Sequence, residues 1–238
     1  MGVHKLRIQT QHERFAACLL AAMLLVPLAA CAWRRTGPVI PGSPASLELP
    51  APRTSGPLSL EEALLKRRSV RAFSDEPLTL EQVGQLLWAA QGVTDAGRGF
   101  RTAPSAGALY PLVVYVVLPE GCYSYDPQPH TLTLVARGDK RAVLKQAALG
   151  QEAVGQAPAV FVVAAVYERT ARKYGQERSP RYVHLEAGHA AQNLLLQAVA
   201  LDLGAVPVGA FDDAGVRTAL SLPADHQPLY LIPAGHSR

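Results

Sequence analysis

Three arginines and a serine crowd into five positions, Arg67-Arg68-Ser69-Val70-Arg71, inside the run Lys66 to Phe73. Planar guanidinium forks suit bidentate contact with phosphate and a serine hydroxyl adds a short donor, so the run is a candidate anion site. A solvated charged turn is the plainer reading of the same residues. A second basic group closes the chain at Gly235-His236-Ser237-Arg238, where a frayed tail is the plain alternative. Between these groups lie two stretches of small residues. Thr102 to Pro111 carries Pro104-Ser105-Ala106-Gly107 ahead of an apolar run, and Gly204 to Asp212 carries Pro207-Val208-Gly209-Ala210 behind a long helical pattern. Small side chains let backbone come close to a flat ligand. Each feature alone is weak, but together they describe two phosphate-competent clusters and two approaches for a planar ring.

The elements that must position these groups follow from capping signals and periodicity. Ser59 with Glu62 has capping-box spacing and opens a short helix to about Lys66. Thr79 with Gln82 opens another, in which Leu80, Val83, Leu86, Leu87 and Ala90 keep helical spacing as far as Gly92. Leu112–Leu118 is an apolar, β-branched run and reads as a buried strand, followed by a turn into Cys122–Tyr125 and a meander partner at Leu132–Val135. Asp139–Leu149 reads as a helix stopped by Gly150, and Ala159–Val166 as a second buried strand. Tyr167–Tyr182 reads as a polar loop; its Lys173 and Tyr174 make it a candidate lid or substrate contact. Val183–Leu203 reads as a long helix, apolar nearly all round, whose Glu186, His189, Gln192, Asn193 and Gln197 argue against a membrane span. Strands at Ala205–Phe211 and Tyr230–Ile232 complete an α+β (mixed α/β) reading.

With 238 residues, 49% hydrophobic and 18% charged, the chain is neither a disordered tail nor a coiled coil, and it is long enough for a sizeable core. Lys5, Arg7 and Arg14 against Glu13 give residues 1–30 a net +2 of the chain's +4, so the remainder is nearly balanced. Nucleic-acid binding gains little support, because no basic tract interleaves with aromatics. The basic start precedes an unbroken apolar run, Phe15–Ala30, that ends Leu28-Ala29-Ala30-Cys31. It resembles a bacterial lipoprotein signal in which Cys31 is lipidated, which predicts an exported, cell-envelope lipoprotein on the periplasmic side of a bacterial membrane. Six prolines over residues 32–57 suit an extended tether, so residues 1–30 read as signal peptide, 31–57 as tether and 58–238 as the folded domain. The body beyond Cys31 keeps only Cys122, read as a buried structural thiol; internal disulfides and cysteine metal tetrads are thereby excluded and no metal is expected.

Five motifs in order, RRSVRAF, PLTLEQVGQLLWAAQG, RTAPSAGALYP, HLEAGHAAQNLLLQAVALDLGAVPVGAF and PLYLIPAGHSR, resemble the nitroreductase superfamily of flavoproteins, and within it the SagB/ThcOx-like dehydrogenase branch, over Leu58–Arg238. The resemblance implies a central, mostly antiparallel sheet flanked by helices, FMN as cofactor, and a homodimer built on Val183–Leu203. It implies that Arg67, Arg68, Ser69, His236 and Arg238 serve the FMN phosphate and ribityl chain, and that Arg71 sits beside the pyrimidine edge. Pro104, Ser105, Ala106 and Gly107 would line the ring from the partner subunit. Pro207, Val208, Gly209 and Ala210 would pass along its face, with an amide near N5. The implied activity is an FMN-dependent oxidoreductase that moves hydride between a small-molecule electron donor and acceptor. A flavin-binding lipoprotein module without turnover is the alternative. An Asn common in the superfamily's ring loop is absent from Ser105–Tyr110, as in the SagB-like branch.

Overall fold

A computed structural model describes residues 46–238. The signal, Cys31 and most of the tether expected above lie outside those residues. In chain order the elements are β1 (Ser46–Glu48), α1 (Leu60–Lys66), α2 (Leu80–Gln91), β2 (Val93–Asp95), β3 (Phe100–Arg101), β4 (Leu112–Leu118), β5 (Gly121–Asp126), β6 (Thr131–Arg137), α3 (Arg141–Ala147), α4 (Glu152–Gln156), β7 (Ala159–Ala165), α5 (Tyr167–Ala200), β8 (Gly204–Ala205), α6 (Asp213–Leu220) and β9 (Gln227–Gly235). Seven strands form one sheet in the order β1-β6-β5-β4-β7-β9-β8, every neighbouring pair antiparallel. The fold is the expected α+β arrangement of a mostly antiparallel sheet flanked by helices. Among the described residues no helix is long and apolar enough to cross a membrane.

Period-two alternation on β4 and β7 sends side chains into two cores, one on each face of the sheet. Val114, Val116, Phe161 and Val163 meet Leu86 and Leu87 of α2 and Ala187 and Leu194 of α5. Val117, Val160 and Val162 meet Leu144 of α3, Val154 of α4, and Val216 and Leu220 of α6. Burial on both faces is why these two strands read as continuous apolar runs. Cys122 is fully buried, and loss of solvent pushes its thiol up to about 12, which makes it a packing residue.

Two segments differ from expectation. The folded unit begins before Leu58: β1 pairs with β6, Leu49 is buried, and His130 bonds the Pro50 carbonyl at 3.0 Å through Nε2 and Tyr125 OH at 2.8 Å through Nδ1. Gln85 of α2 holds Arg53 by two bonds, accepting from its amide and donating to its carbonyl. Prolines there shape an extended strap docked on the sheet. The loop expected over Tyr167–Tyr182 is helix, broken at Gly175 (φ 77°, ψ 161°). The break lets the opening turns fold back, so that the Ser179 hydroxyl donates to the Tyr167 carbonyl at 2.9 Å and Tyr167 OH shares a bond with His184 Nε2 at 2.6 Å.

If the strap belongs to the domain, a chain beginning at Leu58 will be less stable than one beginning at Ala45 by at least about 2 kcal/mol, the worth of burying Leu49 alone. Denaturant titration of both chains measures this, and equal midpoints would move the boundary back to Leu58.

Candidate functional site

Residues from the two ends of the folded chain meet beside β9. Helix α1 stops at Lys66, and the segment after it runs extended: Val70 donates its amide to the Ala205 carbonyl at 3.1 Å, Ser69 bridges Ala205, and Phe73 bridges Ser237. The Ser74 amide donates to the His236 carbonyl at 2.8 Å, and the Arg238 amide to the Ala72 carbonyl at 3.3 Å. Gly204 makes this approach possible, because a Cβ there would lie 2.6 Å from Val70 Cγ1 and 2.8 Å from Ser237 Oγ. A cavity of about 380 Å³ opens alongside, lined in part by Lys66, Arg68, Val70, Leu203 and Ser237. The Arg67–Arg71 segment, the start of the Gly204–Ala210 stretch and the His236–Arg238 terminus are thus brought together.

The guanidiniums there are differently engaged. Arg68 donates to the carbonyls of Leu65 and Arg67 at 3.1 and 2.7 Å, closing the end of α1. Arg238 makes an exposed 3.4 Å ion pair with Asp75. Arg67 and Arg71 carry no ion pair among the described residues. The strand expected over Ala205–Phe211 shortens to β8 plus a two-bond bridge between Val208 and Leu231, since Pro207 has no amide to extend the ladder. Gly209 and Ala210 follow, exposed, and a Cβ on Gly209 would meet nothing closer than Tyr230 Cε1 at 4.0 Å. Nothing within the described chain requires that glycine.

Pro104–Gly107 forms a second group, whose partners lie elsewhere. Gly107, Ala108 and Tyr110 all have left-handed backbone, φ 63°, 53° and 46°. Two of the three are not glycine, and each such residue costs on the order of 1 kcal/mol or more, so the surroundings must hold the loop. Ser105 Oγ accepts from the Tyr110 amide at 2.9 Å, and Arg169 donates to the Tyr110 carbonyl at 3.2 Å. The Arg101 guanidinium stands 4.5 Å from the Tyr110 ring centre, and the Arg101 amide donates to Tyr110 OH at 3.2 Å. Lys173 Nζ and Tyr174 OH lie 2.8 and 3.0 Å from the place a Cβ on Gly107 would take. The residues expected on a lid therefore sit over this loop, carried by the helical turn before Gly175.

Residues 64–236 match the model of the Nitroreductase family. The chain belongs to the nitroreductase family. A Methanocaldococcus jannaschii protein that carries the nitroreductase name is 47% identical over 184 residues, spanning 75% of this chain and 91% of that one. A Ralstonia eutropha structure with the same designation has a TM-score of 0.76 at 35% identity, covering 85% of this chain and 94% of the other. The Escherichia coli microcin synthetase McbBCD complex, solved with truncated pro-MccB17 bound, has a TM-score of 0.65 at 25% identity, covering 73% and 70%. Family membership makes this chain an oxidoreductase.

The nitroreductase chain also contains a polar network that motif reading missed. Glu186 of α5 is 2% exposed and Gln91 of α2 is 1% exposed. Gln91 accepts from Arg101 at 2.9 Å through Oε1 and donates to Glu186 at 3.5 Å through Nε2. Burial pushes the Glu186 carboxyl up to about 7, opposed by hydrogen bonds from Ser105 and Gln91 and by the Arg101 charge. Burial also pulls the Arg101 guanidinium down, with Glu186 holding it up. A signal for Glu186 was present: with Val183, Ala187, Ala190 and Leu194 it falls on the buried stripe of the helix, where an acid needs partners. Next to the network a cavity of about 380 Å³ is lined in part by Gln91, Arg101, Tyr125, Arg169 and His226.

The raised Glu186 value fixes a sign. Between its ordinary 4.5 and about 7 the folded state holds a proton that the unfolded chain has released. The stability this group contributes is full below 4.5 and is lost as pH rises through about 7. Glu186→Gln should therefore gain on wild type by about 1–3 kcal/mol between these limits. Urea titrations across that range measure the gap, and a gap that does not widen with pH would contradict the burial assignment.

Proposed function

We propose that this chain is a homodimeric, FMN-dependent oxidoreductase of the SagB/ThcOx-like branch, moving hydride between a small-molecule donor and acceptor and anchored at the cell envelope by lipid on Cys31. The observation that carries the reading is the meeting of Arg67–Arg71, Gly204–Ala210 and His236–Arg238 around one close backbone contact. The donor set fits a phosphorylated flavin: two arginines without an ion pair among the described residues, a serine and a terminal arginine lie near a strip of small residues, and Gly209 leaves room that none of the described residues fills. The family itself generally binds FMN.

FMN, when bound, supplies the two-electron chemistry that these side chains lack. Arg67, Arg68, Ser69, His236 and Arg238 bind its phosphate and ribityl chain. Arg71 places a permanent cation toward the pyrimidine edge, where reduction leaves negative charge. Pro207, Val208, Gly209 and Ala210 bring backbone along the ring face. Pro104, Ser105, Ala106 and Gly107 cover it from the second protomer, whose approach suits the exposed Leu60, Leu64 and Leu65 of α1 and Leu185 of α5. Lys173 Nζ and Tyr174 OH, poised over Gly107, hold or move a proton at the substrate. Likeness to the microcin synthetase complex supports the branch.

The purified protein should retain yellow absorbance through gel filtration after incubation with FMN, and colourless protein would overturn the reading. Arg67→Ala with Arg71→Ala should weaken FMN binding at least about ten-fold with an unchanged melting profile, whereas Tyr174→Phe should keep the flavin and lose turnover. Separately, Cys31→Ser should move the protein from the membrane fraction to the soluble fraction. Equal partitioning of the two forms would remove the lipid anchor from the proposal.

A further inference from the structure

The seven-stranded sheet is forked at one end. β4 and β5 pair from Leu118 opposite Gly121 back to Tyr115 opposite Ser124 and no further. Beyond that point Leu112, Val113 and Val114 stay with Ala165, Ala164 and Val163 of β7, while Tyr125 and Asp126 stay with Leu132 and Thr131 of β6. The cavity of about 380 Å³ next to the Gln91 network lies in this fork, since residues 112–114 of one strand and 124–126 of the other both line it. Its walls come from both faces of the sheet. Val114 and Tyr125 belong to the core shared with α2 and α5, whereas Val113 packs against the other core, and His226 bonds Tyr115 OH there at 2.5 Å through Nδ1. Successive residues of a strand turn their N–H and C=O to opposite sides, so each unzipped edge presents main-chain polar groups with no partner strand across the cavity.

We propose that this fork is a binding site for a small monocarboxylate with a flat apolar body, its carboxylate held by Arg101 and Arg169. Both guanidiniums line the cavity, and neither has an ion pair among the described residues. Arg101 uses one N–H on Gln91 Oε1 and Arg169 one on the Tyr110 carbonyl, which leaves most of the donors on each fork. Glu186 is the acid that acts on Arg101 from the core, and it is buried outside the lining. Asp126 is the acid within the lining; it is exposed and accepts from the Gln128 amide at 3.1 Å. Burial pulls His226 down, so its ring adds no charge at neutral pH. Two permanent cations against one carboxylate leave a surplus of about one positive charge, which a monoanion matches.

The shape of the fork selects among anions. A guanidinium meets a carboxylate edge to edge through two parallel hydrogen bonds, and an opening between two strand edges is thin, which favours a planar anion over a tetrahedral one. Leu112, Val113, Val114, Tyr125 and Pro127 supply apolar wall for the body of the ligand. The volume lies at the small end of ligand sites, which run from about 300 to 1,000 Å³, and suits one ring with its acid group. The basic cluster at Gly204 opens on a different cavity, lined by Lys66, Arg68 and Ser237 among others, and the two cavities share no residue. The carboxylate site therefore stands whether or not flavin binds.

Calorimetric titration of the full chain with benzoate tests the site, with benzamide as the uncharged isostere and inorganic phosphate as the tetrahedral anion. Benzoate should bind with a Kd of about 1 mM or tighter, and benzamide and phosphate at least about ten-fold more weakly. Arg169 is exposed and lies outside the residues assigned to flavin, and Arg169→Gln should weaken benzoate at least about ten-fold with an unchanged melting profile. Location is read on wild type, independently of any variant. Saturating benzoate should slow hydrogen exchange in peptides covering residues 112–114 and 124–127 and leave residues 66–71 unchanged. Benzoate that fails to bind at about 10 mM, binding that a folded Arg169→Gln leaves intact, or protection that falls on residues 66–71 overturns the proposal. Benzamide or phosphate binding as tightly as benzoate overturns it too, because the planar anion is then not what the fork selects. FMN affinity enters none of these outcomes, so failure here leaves the flavin reading standing and failure there leaves the fork.

Discussion

The two ends of the folded chain can touch because position 204 has no side chain. Val70 Cγ1 and Ser237 Oγ both occupy the space that a Cβ would need, so the extended segment after α1, the short strand β8 and the C-terminal residues pack at backbone distance. Everything assigned to phosphate binding depends on that contact. It converts two weak basic runs, more than 160 residues apart, into one cluster at the edge of the seven-stranded sheet. Sheet edges expose unpaired backbone, and here the Ser69–Phe73 segment covers that edge while carrying guanidiniums to it.

Much of this was legible in the sequence because each element obeyed its own local rule. Ser59 and Thr79 both cap the helices their spacing announced, and at Thr79 the full reciprocal box is present. β4 and β7 lie where apolar β-branched runs placed them. The failures occur where local chemistry misleads. Prolines over residues 46–57 read as a tether, yet an extended chain without free amides also makes a good edge strap, and pairing with β6 is a long-range event that no window shows. Gly175 and Pro180 read as loop residues, whereas one glycine reverses the chain and the proline costs at most one bond near the start of the continuing helix. Helix α6 went unread although Asp212 caps it through the Ala214 amide.

The site divides the same way. Basic and small-residue motifs are visible to a reader because their composition is unusual. The network behind the Ser105–Tyr110 loop is not, because Gln91, Arg101 and Glu186 are ordinary residues far apart in the chain and become informative only when α2, β3 and α5 bring them together. Lys173 and Tyr174 fall between these cases: the segment looked functional for its polarity, and the fold supplies the reason by laying both side chains on Gly107.

Burying a carboxylate beside a guanidinium is a poor way to stabilise a protein. An apolar side chain of similar size at position 186 would avoid the desolvation that raises this acid to about 7, and removing the charge at Arg101 as well would leave the core no weaker. What an apolar pair cannot do is hold Gln91 and, through it, the Arg101 guanidinium that lies over the Tyr110 ring. Strain at Ala108 and Tyr110 is tolerated because Ser105 and Arg169 bond the Tyr110 backbone and Arg101, held by Gln91, lies over the Tyr110 ring.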